Sequence, residues 1–140
     1  MMLIDFIKKG QVRKATPDIA LIKSLVKTAE ADMLFLKSVE VNELSARKVM
    51  SNYYDTLRSI LEAMAALDGF KVYSHEAFKH FLSEKGEHII AEKFDRFRKI
   101  RNKINYYGKS ISKEEVVENS TEIASLITQL KEKYLKETAT

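Results

Sequence analysis

Apolar side chains recur along most of this chain at steps of three and four residues, which is the spacing of an α-helix that rests on a core. The first long stretch begins after Thr16-Pro17, where the threonine hydroxyl suits a capping position and the proline suits the first helical position. Its apolar stripe consists of Ile19, Ile22, Leu25, Val26, Ala29, Met33 and Leu36. The pattern therefore predicts an amphipathic helix that starts at Pro17.

Two further helices follow from the same period. Asn42 can cap a long helix that ends at Asp68-Gly69, with the glycine in the usual terminating position. Its apolar residues are Ala46, Met50, Tyr53, Leu57, Ile60, Leu61 and Met64. A shorter helix starts at Ser74 and closes at Gly86. Its inward residues are Ala77, Phe78, Phe81 and Leu82. The few residues between these two helices are expected to form an irregular connection.

The segment from Lys93 to Lys103 combines helical periodicity with dense positive charge. Asp95 is its one acid, and its six basic residues are Lys93, Arg96, Arg98, Lys99, Arg101 and Lys103. The apolar positions through the same region are Ile90, Phe94, Phe97, Ile100, Ile104 and Tyr107. The period predicts a helix from about Glu87 to Gly108, here called the basic helix. Its charge is therefore held in fixed geometry and does not belong to an unstructured tail.

A last helix is predicted after Ser112, which forms a capping box with Glu115. Its apolar residues are Val116, Ile123, Ile127, Leu130 and Tyr134. The apolar start of the chain is broken at Asp5 and stops at Lys8-Lys9, so it predicts a short N-terminal helix that docks on the rest. Five amphipathic helices plus this short N-terminal helix describe an all-α antiparallel helical bundle.

The composition agrees with a single helical domain over residues 1–140. A chain of 140 residues with 45% apolar side chains can bury one good core, and one proline with four glycines is too few turn residues for a strand-rich fold. Cysteine is absent, which excludes disulfides and thiolate chemistry and favours a cytoplasmic location. No stretch is long enough to span a membrane. The net charge of +4 is compatible with an anionic partner.

Metal and cofactor chemistry are not indicated by the pattern. His75, His80 and His88 share no four-residue step, and no cysteine completes a zinc set. There is no Gly-rich phosphate loop, nucleophile elbow or dinucleotide fingerprint, so no cofactor is expected. His80 is interpreted as a packing or surface residue. His75 could approach the basic helix as a proton carrier, although a structural role in the first turn of its helix is favoured.

Arg101 lies beside the apolar stripe of the basic helix. At 100° per residue it falls about 20° from Phe94, and Arg98 and Asn105 fall within roughly 40°. A buried guanidinium is costly unless it is paired. One explanation is a structural ion pair with an acid of a neighbouring helix, for which the candidates are Asp55, Glu62 and Asp68. The other is an anion pocket, in which the arginine donates two hydrogen bonds to a phosphate and nearby tyrosines stack on a base.

A second polar row follows one face of the long third helix. It consists of Arg47, Ser51, Tyr54 and Arg58. If this face meets the basic helix, Arg47 and Arg58 extend one positive groove; if it faces solvent, they are ordinary surface residues. The sequence leaves both alternatives open. The other cations of the basic helix are expected to form a solvated face, and they are Lys93, Arg96, Lys99 and Lys103.

Three segments resemble the HEPN family of helical nucleotide-binding proteins. They are Ser45-Ala46-Arg47 with Asn52-Tyr53-Tyr54, then Gly69-Phe70-Lys71-Val72-Tyr73 with Ser74-His75-Glu76-Ala77, and finally Arg101-Asn102-Lys103-Ile104-Asn105-Tyr106-Tyr107-Gly108. Together they span about Glu43 to Gly108, nearly half of the chain. The likeness is to the minimal prokaryotic and archaeal toxin-like members, and it implies a five-helix bundle.

The best-known HEPN signature is an arginine, commonly followed by a polar residue, with a histidine a few residues later. In HEPN ribonucleases two protomers bring these residues together in a dimer groove, where RNA is cleaved without a metal. The resemblance assigns the arginine to Arg101 and its polar neighbour to Asn102. Tyr106, Tyr107 and Gly108 occupy the positions where the histidine would stand. A phenol with a pKa of about 10 is a poor general base at neutral pH, so the main proton carrier is missing.

The expected function is therefore RNA or nucleotide binding by a homodimer, through the face that bears Arg101, with ribonuclease activity lost or weakened. The candidate catalytic residues are Arg101, Asn102 and Tyr106, and the candidate ligand-binding residues are Arg98, Arg101, Asn105, Tyr107, Arg47 and Tyr54. One alternative is a metal-independent endoribonuclease of a toxin-antitoxin pair, with Tyr106 or His75 as substitute proton carrier. The other is a non-catalytic module that docks a nucleotidyltransferase or another partner.

Overall fold

The structure is a computed structural model that describes residues 2–138, apart from the side chain of Tyr107. Its helices are α1 (Asp5–Lys8), α2 (Ile19–Ser38), α3 (Ala46–Leu67), α4 (His75–Glu84), α5 (His88–Tyr107) and α6 (Lys113–Tyr134), and the chain continues into a 3-10 turn at Lys136–Thr138. Two short strands, β1 (Val12–Lys14) and β2 (Phe70–Val72), form a small sheet. The predicted all-α helical bundle is confirmed, and α5 is the basic helix.

Helix α3 lies at the centre of the bundle, where it packs against α2, α5, α6 and β2. Its apolar residues cover more than one face, so the helix can be enclosed instead of lying on the surface. The most deeply buried of them are Met50, Leu57, Ile60, Leu61 and Met64. Short α1 docks on the bundle as expected, with Phe6 fully buried and its ring centre 5.0 Å from that of His80. His80 therefore has a packing role.

The sheet was not predicted, since the segment after Gly69 was interpreted as an irregular connection. Strands β1 and β2 pair antiparallel with Val12 opposite Val72, and both of these side chains are buried. Each strand has only three residues, which is too short for an alternating pattern to stand out. Gly69 makes the sharp exit from α3 with a φ of +89°, and its carbonyl accepts a hydrogen bond of 2.9 Å from the Ala15 amide.

The start of α2 differs from the prediction. Asp18 is the capping residue, since its side chain accepts a hydrogen bond of 3.1 Å from the Leu21 amide, and the helix begins at Ile19. Thr16 and Pro17 therefore precede the helix, and Ile19 is exposed instead of lying in the core. A carboxylate accepts from backbone amides at least as well as a hydroxyl does, which explains why the cap moved two residues along the chain.

The starts of the other helices were predicted from their capping residues, and one of these predictions needs a correction. Ser74 and Ser112 cap α4 and α6 through hydrogen bonds to the amides three residues later. Helix α3 begins after Ser45 without a side-chain cap, and Asn42 instead accepts from the amides of Leu44 and Ser45 in the preceding turn. The prediction was therefore wrong about the capping residue of α3 but right about the helix itself. Among the described residues, no helix has the length and apolarity that crossing a membrane requires.

Candidate functional site

The middle of the polar row on α3, Ser51 and Tyr54, faces α5, whereas Arg47 at its start is exposed. The Ser51 hydroxyl donates a hydrogen bond of 3.3 Å to the side-chain carbonyl of Asn105. One turn further along α3, the ring of Tyr54 lies under Arg101, with 4.9 Å between the ring centre and the guanidinium carbon. Because these two contacts run in opposite chain directions, α3 and α5 are antiparallel and their polar rows share one surface.

Arg101 is partly buried, as its place beside the apolar stripe predicted, and its side chain is 21% exposed. One terminal nitrogen lies 3.5 Å from a carboxylate oxygen of Asp55, while its Nε is buried and has no hydrogen-bond partner among the described residues. Asp55 was one of three acids proposed as an ion-pair partner. Its side chain is 55% exposed, so the pair lies at the protein surface, where such pairs contribute only about 0–1 kcal/mol.

Beneath Arg101, a chain of buried side chains links three helices. The Tyr54 hydroxyl lies 2.9 Å from Nδ1 of His75, and Nε2 of His75 lies 3.2 Å from a carboxylate oxygen of Asp95. Phe94 stacks on both rings, with ring centres 5.4 Å from Tyr54 and 4.2 Å from His75. Tyr54 and Phe94 are completely buried. These contacts therefore join α3, α4 and α5 at a point where water has little access, since the side chains of His75 and Asp95 are only 10% and 16% exposed.

The protonation states along this chain follow from its environment. Burial and the charge of Arg98 lower the pKa of His75 to about 4, even though Asp95 opposes the shift. Burial raises the pKa of Tyr54, so its phenol keeps its proton. Burial also acts to raise the pKa of Asp95, but hydrogen bonds from Lys99 and His75 leave that pKa below its usual value. Asp95 is thus an ionised acceptor.

These protonation states determine which group donates and which accepts in each hydrogen bond among Tyr54, His75 and Asp95. An ionised carboxylate can only accept, so Nε2 of neutral His75 carries the proton and donates to Asp95. Nδ1 then holds the lone pair and accepts from the Tyr54 hydroxyl. Asp95 is further surrounded by the cations Lys99 at 3.3 Å, Lys79 at 3.7 Å and Arg98 at 3.7 Å. Both ring nitrogens of His75 are therefore engaged, and its side chain is only 10% exposed.

The remaining predicted site residues differ in how far their side chains are exposed to solvent. Tyr106 is 71% exposed, Asn105 and Arg47 are exposed, and Asn102 is half-buried. Arg98 is more accessible than Arg101 and contacts Asp95. Among the predicted residues, the side chain of Tyr107 lies outside the described part of the structure.

Tyr54 requires a correction, since it was predicted to contact a ligand directly. Its fully buried ring is packed against Phe94 and Arg101, so it has no surface on which a base could stack. Its contribution to the site is to support the guanidinium of Arg101. The pattern also missed Asp95 as a partner of His75, because nothing in the sequence indicated which side of α5 would receive the start of α4.

The charges of the basic helix divide between two sides. Toward α6, Lys93 and Arg96 form ion pairs with Glu122, which also accepts a hydrogen bond from Arg96. Toward α3, the charges of Arg58, Arg101 and Arg98 each act to lower the pKa of Tyr54, although burial outweighs them and leaves that pKa raised. The three arginines therefore lie near enough to Tyr54 for their charges to act on it. Arg58 also donates a hydrogen bond of 3.3 Å to the Tyr73 carbonyl, which fixes its position.

The function of this surface is indicated neither by a metal site nor by similarity to a known protein. No cluster of three or more histidine, cysteine, aspartate or glutamate side chains suited to a metal ion occurs within residues 2–138. Comparisons with protein-family models, with curated proteins and with solved structures found no match to the chain. The resemblance to HEPN proteins therefore stays a prediction.

The buried state of His75 predicts a dependence of stability on pH. The folded state holds this imidazole with a pKa of about 4, whereas the unfolded state has about 6.5. The resulting stability is present above pH 6.5 and is lost as the pH falls from 6.5 through about 4, by about 3 kcal/mol in all. Denaturant unfolding followed by circular dichroism should show this loss in the unmodified protein.

His75→Gln supplies the comparison, because glutamine retains hydrogen-bonding groups but does not titrate in this range. The variant should be less stable at neutral pH and should lose about 3 kcal/mol less than the unmodified protein between neutral pH and about pH 4. Equal pH dependence in the two proteins would show that His75 is not held neutral by its surroundings.

Proposed function

We propose that this protein is a HEPN-like homodimer that binds RNA or nucleotides through the α3–α5 surface, with ribonuclease activity lost or weakened. The observation that carries the proposal is the state of Arg101. Its guanidinium rests on the buried ring of Tyr54. Among the described residues its Nε has no partner, and its one ion pair is with the exposed Asp55. An arginine held in this way can exchange its carboxylate for a phosphate.

The exchange is favourable for three physical reasons. Asp55 contacts the guanidinium through one oxygen at 3.5 Å, whereas a phosphate can accept two parallel hydrogen bonds from the guanidinium fork. The surface pair that must be broken contributes little. RNA carries one negative charge at every phosphate, and the charges of Arg58 and Arg98 act on Tyr54 together with that of Arg101.

The polar and aromatic residues that follow Arg101 are assigned to the recognition of a base or sugar. The ring of Tyr106 is exposed and can stack against a base. Asn105 accepts a hydrogen bond from Ser51 of α3, which fixes its side-chain amide, and Asn102 lies half-buried on the same helix. Exposed Arg47 near the start of α3 extends the positive surface. These features suit a single-stranded ligand with accessible bases.

Loss or weakening of cleavage follows from the lack of an accessible proton carrier. Tyr106 stands where the resemblance expects a histidine, and an ordinary phenol binds its proton too tightly for general base catalysis at neutral pH. His75 does not replace it in the described arrangement, since its two ring nitrogens are engaged by Tyr54 and Asp95. Phosphate binding needs neither group as a base.

A homodimer through the side of the molecule that bears Arg101 is supported by exposed apolar residues of α2, next to Asp55. Phe35 is 61% exposed and lines a cavity of about 250 Å³ together with Asp55 and Asn52, and its neighbour Leu34 is also exposed. Exposed aromatic side chains beside a polar site are typical of protein interfaces. A second copy on this side would bring two Arg101 side chains toward one groove.

RNA binding should respond in opposite directions to the two members of the ion pair. Arg101→Ala should weaken binding by about tenfold to a hundredfold, since a hydrogen bond to a charged group contributes about 1.5–3 kcal/mol. Asp55→Asn should strengthen binding about threefold, because it removes the competing carboxylate. Filter-binding titrations with a structured RNA, at several salt concentrations, would measure both effects.

Arg96→Ala is the matched control, because this arginine belongs to the same helix but pairs with Glu122 on the other side. It should change the affinity less than about twofold. Arg101→Lys keeps the charge but loses the fork, so it should restore only part of the binding. An affinity that does not change with salt, or an Arg101→Ala variant that binds like Arg96→Ala, would refute phosphate recognition here.

The enzyme alternative predicts a different result. Structured RNA incubated with the protein in EDTA should remain uncleaved, or be cleaved only slowly, because His75 is engaged by Tyr54 and Asp95 and the position of the expected histidine holds Tyr106. Gel electrophoresis of end-labelled RNA would measure this. Rapid metal-free cleavage that disappears in Arg101→Ala but persists in Arg96→Ala would instead favour an active endoribonuclease.

The dimer can be tested separately. Light scattering should give twice the chain mass of 16.1 kDa for the unmodified protein and a mass near 16.1 kDa for Phe35→Glu, because two buried charges would face each other across the interface. Ile89→Glu changes another exposed apolar residue, at the start of α5, and should leave the dimer intact. A monomeric unmodified protein, or dissociation by both variants alike, would contradict an interface at Phe35.

A further inference from the structure

An open cavity with apolar walls lies between α1 and β1. Its volume is about 690 Å³, and it is lined by Ile4 at the start of α1, by Ile7 within α1 and by Tyr73, which follows β2. Ile4 is 57% exposed and Tyr73 is 47% exposed, so their apolar surface is open to a partner. A cavity of this size can receive large apolar side chains from another molecule. It is called the α1–β1 groove below.

The charged residues that line the α1–β1 groove are all cations. They are Lys8, Arg13 and Lys14, and all three are exposed. None of them forms an ion pair with a carboxylate of residues 2–138. Arg101 on the α3–α5 surface differs in this respect, because it already has Asp55. A partner that carries carboxylates would therefore gain ion pairs at the groove without breaking existing ones.

The groove presents side chains to a partner and not a free strand edge. Val12 of β1 lines it but is only 2% exposed as a whole residue, so its amide and carbonyl are out of reach. An extended segment laid on the apolar walls would lose water from its own backbone groups without finding new partners for them, which is costly. A helix avoids this cost because its backbone groups hydrogen-bond to one another. The groove therefore favours a helical occupant.

We propose that the α1–β1 groove binds an acidic amphipathic helix of a partner protein. Apolar side chains three and four positions apart on that helix enter the cavity and cover Ile4 and Tyr73. Glutamate or aspartate side chains beside the apolar stripe meet Lys8 and Lys14 at the rim. Arg101 has no part in this contact, so the inference is independent of the proposed function.

Other occupants fit the groove less well. The groove of a second copy would place the same three cations against these, which opposes self-pairing. RNA would meet the positive rim but would cover the apolar walls only by stacking a base on Tyr73, which leaves Ile4 exposed. The smooth surface of an anionic membrane would meet the rim but leave the concave cavity unfilled. An acidic amphipathic helix satisfies the walls and the rim at once.

The probe is a fluorescent peptide of about 18 residues that a hydrocarbon staple holds helical, with leucines along one face and glutamates beside them. It should bind the unmodified protein saturably in fluorescence anisotropy, with an affinity that falls as salt is added. Arg101→Ala should bind it equally well. A stapled peptide of the same composition, with its leucines scattered around the helix, should bind about tenfold more weakly because it keeps the charge but loses the stripe.

Two pairs of variants separate the charged rim from the apolar walls. Lys14→Glu should weaken peptide binding about tenfold, whereas Lys27→Glu, an equal change of charge at an exposed position of α2, should change it less than about twofold. Ile4→Ser should also weaken binding about tenfold, whereas Ile89→Ser, at another exposed isoleucine, should have little effect. All four side chains are exposed, so circular dichroism should show that each variant folds like the unmodified protein.

Several results with the peptides would overturn the proposal. Equal losses in Lys14→Glu and Lys27→Glu would show that binding reflects net charge alone. Equal binding of the striped and the scattered peptide, or equal losses in Ile4→Ser and Ile89→Ser, would exclude a helix seated in the cavity. Absence of saturable peptide binding by a protein that still binds RNA would reject this groove while leaving the proposed function standing.

Other results would assign the groove to a different occupant. Single-stranded oligouridylate that displaces the peptide, and that itself binds Lys14→Glu more weakly than Lys27→Glu, would assign the groove to nucleic acid. The same pattern with phosphatidylglycerol vesicles would assign it to a membrane surface. A lower mass in light scattering for Lys14→Glu than for Lys27→Glu would assign it to a second copy of this chain.

Discussion

The hydrogen bond between the buried phenol of Tyr54 and the imidazole of His75 determines how three helices meet. Either group without its partner would leave a polar atom out of contact with water, at a cost of about 1–3 kcal/mol. The two can satisfy each other only if α4 starts against α3 at this point. Phe94 then fills the space beside both rings from α5. The ring of Tyr54 becomes a rigid support, and the position of Arg101 follows from it.

This arrangement separates proton chemistry from charge recognition. The groups that could move a proton, Tyr54, His75 and Asp95, are turned inward and satisfy one another. The guanidinium of Arg101 lies above them, and among the described residues it forms an ion pair with the exposed Asp55. Both ring nitrogens of His75 are engaged below this surface. The proposal of binding with lost or weakened cleavage rests on that division, in which the hydrogen-bonded side chains serve stability.

The helices could be predicted from the sequence because their apolar stripes run over several turns, and Ser74 and Ser112 mark their starts through local hydrogen bonds. The partial burial of Arg101 was equally predictable, since it depends only on helical periodicity. The sheet was not, because three residues carry no clear alternation. The role of Tyr54 and the link from His75 to Asp95 depend on how separate helices pack, which no local pattern encodes.

The ion pair of Arg101 sets what a ligand must offer at the α3–α5 surface. Asp55 contacts the guanidinium through one oxygen at 3.5 Å, and a ligand with a single carboxylate would only replace this pair with a similar one. The proposed RNA ligand differs from such a ligand because it carries one negative charge at every phosphate. Under the proposed function, several phosphates together therefore supply what a single carboxylate cannot.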